Sequence, residues 1–250
     1  MSTPTTSLLV LSLFPGIGLF DMAFEEEGFC VVRGPDVLWG GDVRRFHPPP
    51  GVFGGVIGGP PCQLFSALKR LNPRCGEKHG NLIPEFERVV LEAMPAWFCM
   101  ENVPGAPQPN VAGFTISDVL VRDVHVGGET QRLRRFSFGT RNGRRLRVAF
   151  PALYASQAAP AVCSDARVTP VALRGSRKKK PGVSCVSSGN GPRLSVNEML
   201  RRQGAPSNLL DEAPFTDQGK RKVIGNGVPL AMGRSIARAV KESCAGSLAR

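Results

Sequence analysis

The fold class is first indicated by an apolar run and the glycine turn after it, at Ser7-Leu8-Leu9-Val10-Leu11-Ser12-Leu13-Phe14-Pro15-Gly16-Ile17-Gly18. A short apolar run that ends at Pro-Gly is typical of a buried strand, and residues 18–27 after it predict a helix. Glycines at such a strand-to-helix turn let a ligand approach the backbone closely, although many similar turns are only tight connections. The sequence therefore begins with one strand–turn–helix unit of an α/β domain.

The same alternation continues to about residue 105. Strands are predicted at residues 29–33, 52–57 and 97–100, and an amphipathic helix at residues 82–93. Strands that alternate with helices indicate a doubly wound, mostly parallel sheet with helices on both faces. The predicted fold class is therefore α/β.

The later part of the chain has a different pattern. Residues 119–126 and 134–139 predict two paired strands, and residues 140–192 are rich in Gly, Pro, Ser and Arg. A capping-box pattern at residues 195–198 predicts a helix, and residues 229–241 predict a last one. We divide the chain into three parts: a core at 1–139, a short insert at 140–193, and a C-terminal segment at 194–250 that returns to the core.

The bulk composition limits the class of protein. The 250 residues are 42% hydrophobic, which suffices for one α/β domain with a small insert. We find neither an apolar run long enough to cross a membrane nor the pattern of a signal peptide. Seven single cysteines without CxxC spacing and three histidines suggest a reduced, cytosolic protein without disulfides or a metal site. We expect a monomer.

The positive charge is concentrated in one part of the chain. Residues 132–202 contain 16 Lys and Arg against two acidic residues, whereas the remainder has a net charge of −2. A local excess of this size favours a polyanionic partner, with nucleic acid as the first candidate. The alternative is a solvated surface that only keeps the protein soluble.

Two strand ends carry residues suited to catalysis. Cys62 follows Gly58-Gly59-Pro60-Pro61, and Glu101 begins Glu101-Asn102-Val103-Pro104-Gly105. α/β enzymes place their chemistry at the carboxyl ends of strands, where a thiolate can attack a substrate and a carboxyl group can share a proton with it. A helix-capping role for Glu101 is an equal alternative when it is considered alone. Asp36 and Asp42 follow the second strand and suit a ribose and an adenine amino group, although each alone is more often a surface carboxylate.

The order of these motifs resembles the DNA (cytosine-5) methyltransferases. The resemblance rests on FxGxG at Phe14–Gly18, PPCQ at Pro60–Gln63, ENVPG from Glu101, a Gln-Arg-rich segment from Gln131 and GNxV from Gly225. It implies a class I methyltransferase fold that uses S-adenosyl-L-methionine and acts on double-stranded DNA. It also implies that a small target-recognition region is inserted late in the chain.

The resemblance assigns roles to particular residues. For the methyl donor it implies Phe14, Gly16, Gly18, Asp36, Asp42, Pro60, Leu82, Asn226 and Val228. For catalysis it implies Cys62 as nucleophile, Glu101 at cytosine N3, Asn102 beside it and Arg135 in contact with the target base. For nucleic acid we assign Gln63, Ser66, Arg132, Arg134, Arg144, Arg145, Arg177 and Lys178, with a plain loop serine as the alternative at Ser66.

The sequence departs from the family pattern at three places. Leu133 stands where the family usually has the first arginine of QxRxR, and Leu19 replaces a glycine that often follows GxG. The interval from Asp36 to Asp42 is too short for the helix that usually separates these two contacts. We therefore expect the adenosine side of the cofactor site to be built differently.

The chemistry explains why these residue types are needed. Addition of a thiolate at cytosine C6, with a carboxyl group at N3, makes C5 nucleophilic enough to accept a methyl group. The base must be flipped out of the duplex to reach the thiol. An RNA cytosine-5 methyltransferase on the same fold, and an inactive nucleic-acid-binding relative, are the alternatives. An NAD-dependent dehydrogenase fits poorly because the third glycine of its fingerprint is absent.

Overall fold

The computed structural model describes residues 8–65, 80–151, 158–162 and 193–245. The predicted contacts of Ser66, Arg177 and Lys178 with nucleic acid, and most of the proposed insert, lie outside these ranges. The described strands are β1 (Leu9–Leu13), β2 (Cys30–Arg33), β3 (Gly55–Gly58), β4 (Trp97–Asn102), β5 (Thr115–Arg122) and β6 (Leu133–Thr140). The described helices are α1 (Leu19–Glu26), α2 (Ile83–Ala93), α3 (Val196–Arg202), α4 (Asp217–Asn226) and α5 (Leu230–Ala245).

The six strands form one sheet in the order β2-β1-β3-β4-β6-β5. The first four strands are parallel, and β6 runs antiparallel to both β4 and β5. This confirms the predicted doubly wound, mostly parallel sheet and the predicted pairing of the two late strands. The long hairpin of β5 and β6 closes one side of the sheet, and β2 is the edge strand on the other side.

Apolar side chains pack on both faces of the sheet. On one face, Phe20 and Phe24 of α1 and Ile236 of α5 pack against strand residues such as Val10 and Phe136. On the other face, residues of α2 form a second buried cluster with residues of the strands. The helix contributes Ile83, Phe86, Val89 and Val90, and the strands contribute Leu11, Leu13, Val56, Phe98 and Met100. Because successive strand residues point to opposite faces, the near-continuous apolar runs of β1, β3 and β4 supply both layers.

The C-terminal part of the chain returns to its beginning. α5 packs along α1, where a Cβ on Gly233 would lie 2.6 Å from Cβ of Ala23. Arg234 pairs with Glu26 in an ion pair at the edge of this contact. A glycine at this position lets the two helices approach closely, so the last helix forms part of the same core as the first.

The segment between β2 and β3 contains no regular strand or long helix. Two single turns of 3₁₀ helix, Val37–Trp39 and Val43–Arg45, occupy it. The side chains of Asp36 and Asp42 accept hydrogen bonds from the backbone at the start of these two turns. The short interval noted in the sequence therefore folds as two capped turns.

Arg88 of α2 holds the second of these turns. Its guanidinium donates to the carbonyl oxygens of Val43 at 2.8 Å and Phe46 at 3.1 Å, and to the carboxylates of Glu85 at 2.9 Å and Glu92 at 2.7 Å. The guanidinium of Arg88 thus links two carboxylates of α2 to the irregular backbone between β2 and β3. Arg88 fixes the position of the segment that carries Asp42.

We expect Arg88→Met to destabilise the protein by about 2 kcal/mol, because hydrogen bonds to a charged group are lost and two carbonyls lose their donor. Urea denaturation measures the free energy of unfolding. The control is Arg238→Met, which removes an exposed ion pair with Glu27 and should cost less than about 1 kcal/mol. Equal losses in the two variants would contradict the role given to Arg88.

Candidate active site

Three strand ends meet at one edge of the sheet. Leu13 of β1 is paired in register with Gly58 of β3, and Gly58 with Met100 of β4. The chain leaves β1 for β2 on one side and comes back to β3 on the other. A crevice therefore opens between the carboxyl ends of β1 and β3, which is where α/β proteins bind their ligands.

A cavity of about 420 Å³ occupies this crevice. Its size is that of a site for a ligand such as a nucleoside derivative. The predicted residues found in its wall are Phe14, Gly16, Asp36, Asp42, Pro60, Cys62, Gln63, Leu82, Glu101, Arg132, Arg134, Asn226 and Val228. The fold thus brings together residues from the beginning, the middle and the C-terminal part of the chain.

The turn after β1 has an unusual backbone. Phe14 and Gly16 both adopt the left-handed conformation, with φ of 56° and 58°. This conformation is uncommon for a residue with a side chain, and it occurs most often at functional sites. The carboxylate of Asp36 accepts from the Gly16 N–H at 2.8 Å and from the Leu38 N–H at 2.7 Å. Asp36 therefore fixes the glycine turn, and both of its oxygens already accept a hydrogen bond.

Gly18 lies outside the cavity wall and serves a different purpose. A Cβ at this residue would lie 2.7 Å from Nη2 of Arg33. The same guanidinium donates through Nε to the buried carboxylate of Asp21 at 3.1 Å, and Ser12 donates to the other oxygen of Asp21 at 2.5 Å. Gly18 thus makes room for a polar cluster that joins β1, α1 and β2.

Asn102 fixes the turn that carries Cys62. Its side-chain amide donates to the carbonyl of Pro60 at 3.2 Å, and its amide oxygen accepts from the N–H of Val103 at 2.8 Å. The carbonyl of Cys62 itself accepts from the N–H of Phe65 at 2.9 Å. Asn102 is buried, so these contacts tie the end of β4 firmly to the turn after β3.

Glu101 and Arg134 form an ion pair beside this turn. Nε of Arg134 lies 2.7 Å from Oε1 of Glu101, and both side chains are largely buried. The other carboxylate oxygen lies over Gly59, where a Cβ would come within 3.1 Å of it. Both residues line the cavity with Cys62, so the structure presents a thiol, a carboxylate and a guanidinium to one space.

Burial raises the pKa of the Cys62 thiol above its ordinary value. The positive charges of Arg134 and Arg132 lower this pKa, and the negative charge of Glu101 raises it. Desolvation is the largest of these effects because a thiolate is poorly stabilised away from water. Burial therefore favours the neutral thiol of Cys62 over its thiolate.

The structure corrects the register of the arginine segment. Arg134 lines the cavity, whereas the guanidinium of Arg135 donates to the carbonyls of Ala106 and Pro107 outside it. Neighbouring residues of a strand point to opposite faces, so a shift of one residue exchanges the two side chains. The position of Arg135 does not favour its predicted contact with a target base, whereas Arg134 lies in the cavity beside Glu101.

Arg132 also differs from its prediction as a nucleic-acid contact. Only 3% of the residue is exposed, and its guanidinium donates to the carbonyls of Val162 and Gly225, both at 2.9 Å. A phosphate cannot reach a side chain buried in this way. Arg132 instead holds the backbone carbonyls of Val162 and Gly225.

The remaining predicted nucleic-acid contacts lie on the surface or at the cavity. Arg145 is exposed, whereas Arg144 is half-buried and donates to the carbonyl of Ser243. Gln63 lines the cavity next to Cys62. Among the described residues, Arg145 is thus better placed than Arg144 to contact a polyanion.

Sequence reasoning missed the aromatic and basic residues at the other end of the cavity. Phe215 and Lys222 line it, and the ring of Phe215 lies 5.6 Å from the ring of Trp39. The indole N–H of Trp39 donates to the carbonyl of Gly16 at 2.7 Å. Lys222 belongs to α4, whose mostly polar sequence lacks the apolar periodicity that predicts a helix; the cap at Thr216 was its one signal.

The fold is that of known methyltransferases. A putative DNA modification methyltransferase encoded within an E. coli prophage matches 94% of this chain and 99% of its own, with a TM-score of 0.62 and 18% identity. The S. pombe Dnmt2 methyltransferase matches 94% of this chain and 99% of its own, with a TM-score of 0.59 and 12% identity. The protein therefore has the class I methyltransferase fold.

Sequence comparison shows a partial match to one enzyme family. Residues 42–157 match the family model of C-5 cytosine-specific DNA methylases. The Type II methyltransferase M.NgoPII of Neisseria gonorrhoeae is 27% identical over 183 residues, which are 60% of this chain and 53% of the relative. M.AquIA of Picosynechococcus sp. is 36% identical over 122 residues, 38% of this chain and 48% of the relative. The chain is thus similar in sequence to C-5 cytosine-specific DNA methylases over part of its length, and it spans about half the length of these curated relatives.

No helix in the described ranges is long and apolar enough to span a membrane. Within the same ranges, no group of three or more His, Cys, Asp or Glu side chains is arranged to hold a metal ion.

The buried carboxyl of Asp21 should make the stability of the folded protein depend on pH. Burial raises the pKa of this carboxyl from 3.8 to about 6. The folded protein thus binds the proton more tightly than the unfolded chain between these pH values. The stability of the wild type should therefore fall relative to Asp21→Asn, by up to about 3 kcal/mol, as the pH rises from about 4 to about 6.

Urea denaturation at several pH values tests this prediction. Asp217→Asn is the control, because Asp217 is mostly exposed and its replacement should leave the pH profile of stability unchanged. Parallel profiles for the wild type and Asp21→Asn would show that the buried carboxyl does not titrate in this range.

Proposed function

We propose that this protein transfers a methyl group from S-adenosyl-L-methionine to C5 of cytosine in double-stranded DNA, with Cys62 as the nucleophile. One observation carries the proposal: Cys62 and the Glu101–Arg134 ion pair line the same cavity as the glycine turn after β1. The match of residues 42–157 to the family model of C-5 cytosine-specific DNA methylases supports the same reaction.

The cavity has the features that a nucleoside-containing methyl donor requires. The left-handed turn at Phe14 and Gly16 exposes backbone next to the aromatic ring of Phe14. Asp36 and Asp42 lie on the same wall and suit ribose and adenine, and Leu82 is a buried apolar residue of the lining. The donor, when bound, supplies an electrophilic methyl group.

The protein residues then divide the reaction into steps. The Cys62 thiol first gives up its proton to solvent water, and the positive charges of Arg134 and Arg132 favour this loss. The thiolate forms a bond to cytosine C6, and the electron pair displaced from the C5–C6 double bond makes C5 nucleophilic. Glu101 holds a proton at N3, which offsets the negative charge that develops on the ring.

The reaction ends with the loss of two groups from the base. After methyl transfer, the proton on C5 leaves to a base, and the electron pair of that C–H bond re-forms the double bond. The S–C6 bond breaks at the same time, and the thiolate is regenerated. Arg134, rather than Arg135, is assigned to the contact with the flipped base, because Arg134 lies in the cavity beside Glu101.

The three-part division of the chain has a functional meaning in this proposal. Residues 1–139 and 194–250 form the catalytic part, and residues 140–193 recognise the target. Arg145, Arg177 and Lys178 of the insert are assigned to DNA phosphates. The prokaryotic sources of the curated relatives favour an enzyme that acts in the cytoplasm of a prokaryotic or phage-infected cell.

A direct test of the function is a methyl-transfer assay with duplex DNA and with transfer RNA as separate substrates. The proposal expects 5-methylcytosine in DNA, detected by mass spectrometry, and none in RNA. Methylation of RNA alone would favour the related RNA enzyme. Binding of duplex DNA without methylation of either substrate would favour an inactive relative.

Cys62→Ser should abolish the covalent adduct with DNA that contains 5-fluorocytosine. Fluorine at C5 cannot leave as a proton, so the S–C6 bond of the wild type becomes trapped and survives denaturation. Gel electrophoresis under denaturing conditions detects the adduct. Cys30→Ser is the control, because Cys30 is an exposed free cysteine away from the cavity. An adduct that persists in Cys62→Ser would remove the central assignment.

DNA affinity should depend steeply on salt if the basic segment contacts phosphates. For a protein that makes about six to ten phosphate contacts, the affinity for DNA falls by a factor of about 10³–10⁵ when the salt concentration rises from about 50 to 200 mM. Fluorescence anisotropy with duplexes of several sequences measures this loss. Charge reversal at Arg177 and Lys178 should weaken binding to all the duplexes alike. An affinity that does not change with salt would mean that the charge is only a solvated surface.

A further inference from the structure

The end of α4 presents a row of backbone carbonyls to the interior. The last four carbonyl groups of a helix lack partners within the helix, and the helix dipole makes this end negative. Here that end is residues 224–227, which contain Asn226 of the cavity wall and lie directly before Val228. Packing is close, since a Cβ on Gly227 would lie 2.7 Å from a methyl carbon of Leu19. The carbonyl of Ile224 accepts from the N–H of Gly227 at 3.1 Å, and the other carbonyls need donors that are buried with them.

Two buried side chains supply those donors. The side-chain amide of Gln203 donates to the carbonyls of Ile224 at 2.8 Å and Gly227 at 3.3 Å. The guanidinium of Arg132 donates to the carbonyls of Gly225 at 2.9 Å and Asn226 at 3.5 Å. Every carbonyl from residue 224 to residue 227 is therefore engaged by one of the two side chains.

The backbone of Gln203 also fixes the other side of this segment. Its carbonyl accepts from the N–H of Leu230 at 2.9 Å, at the first residue of α5. Its own N–H donates to Met199 within α3. One residue thus joins the end of α3, the end of α4 and the beginning of α5, and only 1% of it is exposed.

The chemistry of Gln203 argues for more than packing. Its Oε1 is buried and has no hydrogen-bond partner among the described residues. An unsatisfied buried oxygen is unfavourable, so an apolar side chain of this size would avoid that cost. The amide is nevertheless suited to the position, because its N–H groups hold the segment that lines the cavity.

We propose that Gln203 is a positioning residue for the methyl donor. It acts through the carbonyls of residues 224 and 227, so that Asn226 and Val228 keep their places in the cavity wall. The inference rests on the proposed function, since it assumes that this wall contacts S-adenosyl-L-methionine. Gln203 does not touch the reacting atoms, and its loss should affect donor binding while leaving the chemistry at Cys62 intact.

The test compares Gln203→Met with Gln218→Met. Methionine keeps the size of glutamine and removes both donors, and Gln218 is an exposed glutamine of α4. Isothermal titration with S-adenosylhomocysteine should give a dissociation constant about tenfold higher for Gln203→Met and unchanged for Gln218→Met, since two hydrogen bonds are lost. The KM for S-adenosyl-L-methionine should rise similarly, while kcat at saturating donor and the affinity for DNA stay within about twofold of the wild type.

A second variant keeps the test decisive if Gln203→Met does not fold. Gln203→Asn retains the amide but is one methylene shorter, so it cannot span both carbonyls and should also weaken S-adenosylhomocysteine binding. Unchanged binding in the folded variants would overturn the inference, as would a fall in kcat with an unchanged KM. If the unmodified protein binds no S-adenosylhomocysteine, the proposed function fails and the inference fails with it; a wild type that binds while the variants match it overturns the inference alone.

Discussion

Close parallel pairing of β1, β3 and β4 is the constraint on which the site depends. Gly58 makes it possible, because a Cβ there would lie 2.7 Å from the carbonyl oxygen of Leu13. With this pairing, the glycine turn after β1, the proline turn after β3 and the last residues of β4 end at the same height. The backbone then brings Cys62 and Glu101 to the same edge of the sheet, where the cavity lies.

The polar contacts around the cavity mostly serve to hold backbone in place. Asp36 fixes the glycine turn, Asn102 fixes the turn before Cys62, and Arg88 fixes the segment that carries Asp42. Each of these side chains makes hydrogen bonds to a loop whose backbone is not held by a β-sheet or a helix. These contacts hold the cavity wall in place although much of it is irregular, which favours catalysis that depends on orientation.

The sequence predicted the fold well because buried strands and glycine turns are local signals. The five strand segments predicted from residues 29–33, 52–57, 97–100, 119–126 and 134–139 all overlap observed strands. The arginine register was not predictable, since Arg134 and Arg135 differ only in which face of β6 they occupy, and pairing with β4 decides this. The partners of Arg132 and Gln203 could not be predicted from the sequence either, because both side chains bind backbone carbonyls, which every residue has.

The packing of α5 on α1 has a consequence for how the protein is made. Lys241 reaches the carbonyl of Glu27 across 214 residues of sequence, and Arg234 reaches Glu26 across 208. Contacts so distant in sequence make folding slow, because a long loop must close before they form. During synthesis, the apolar face of α1 that α5 covers stays exposed until α5 has left the ribosome. The crevice, whose wall includes Asn226 and Val228, is complete only once the chain through these two residues has been made.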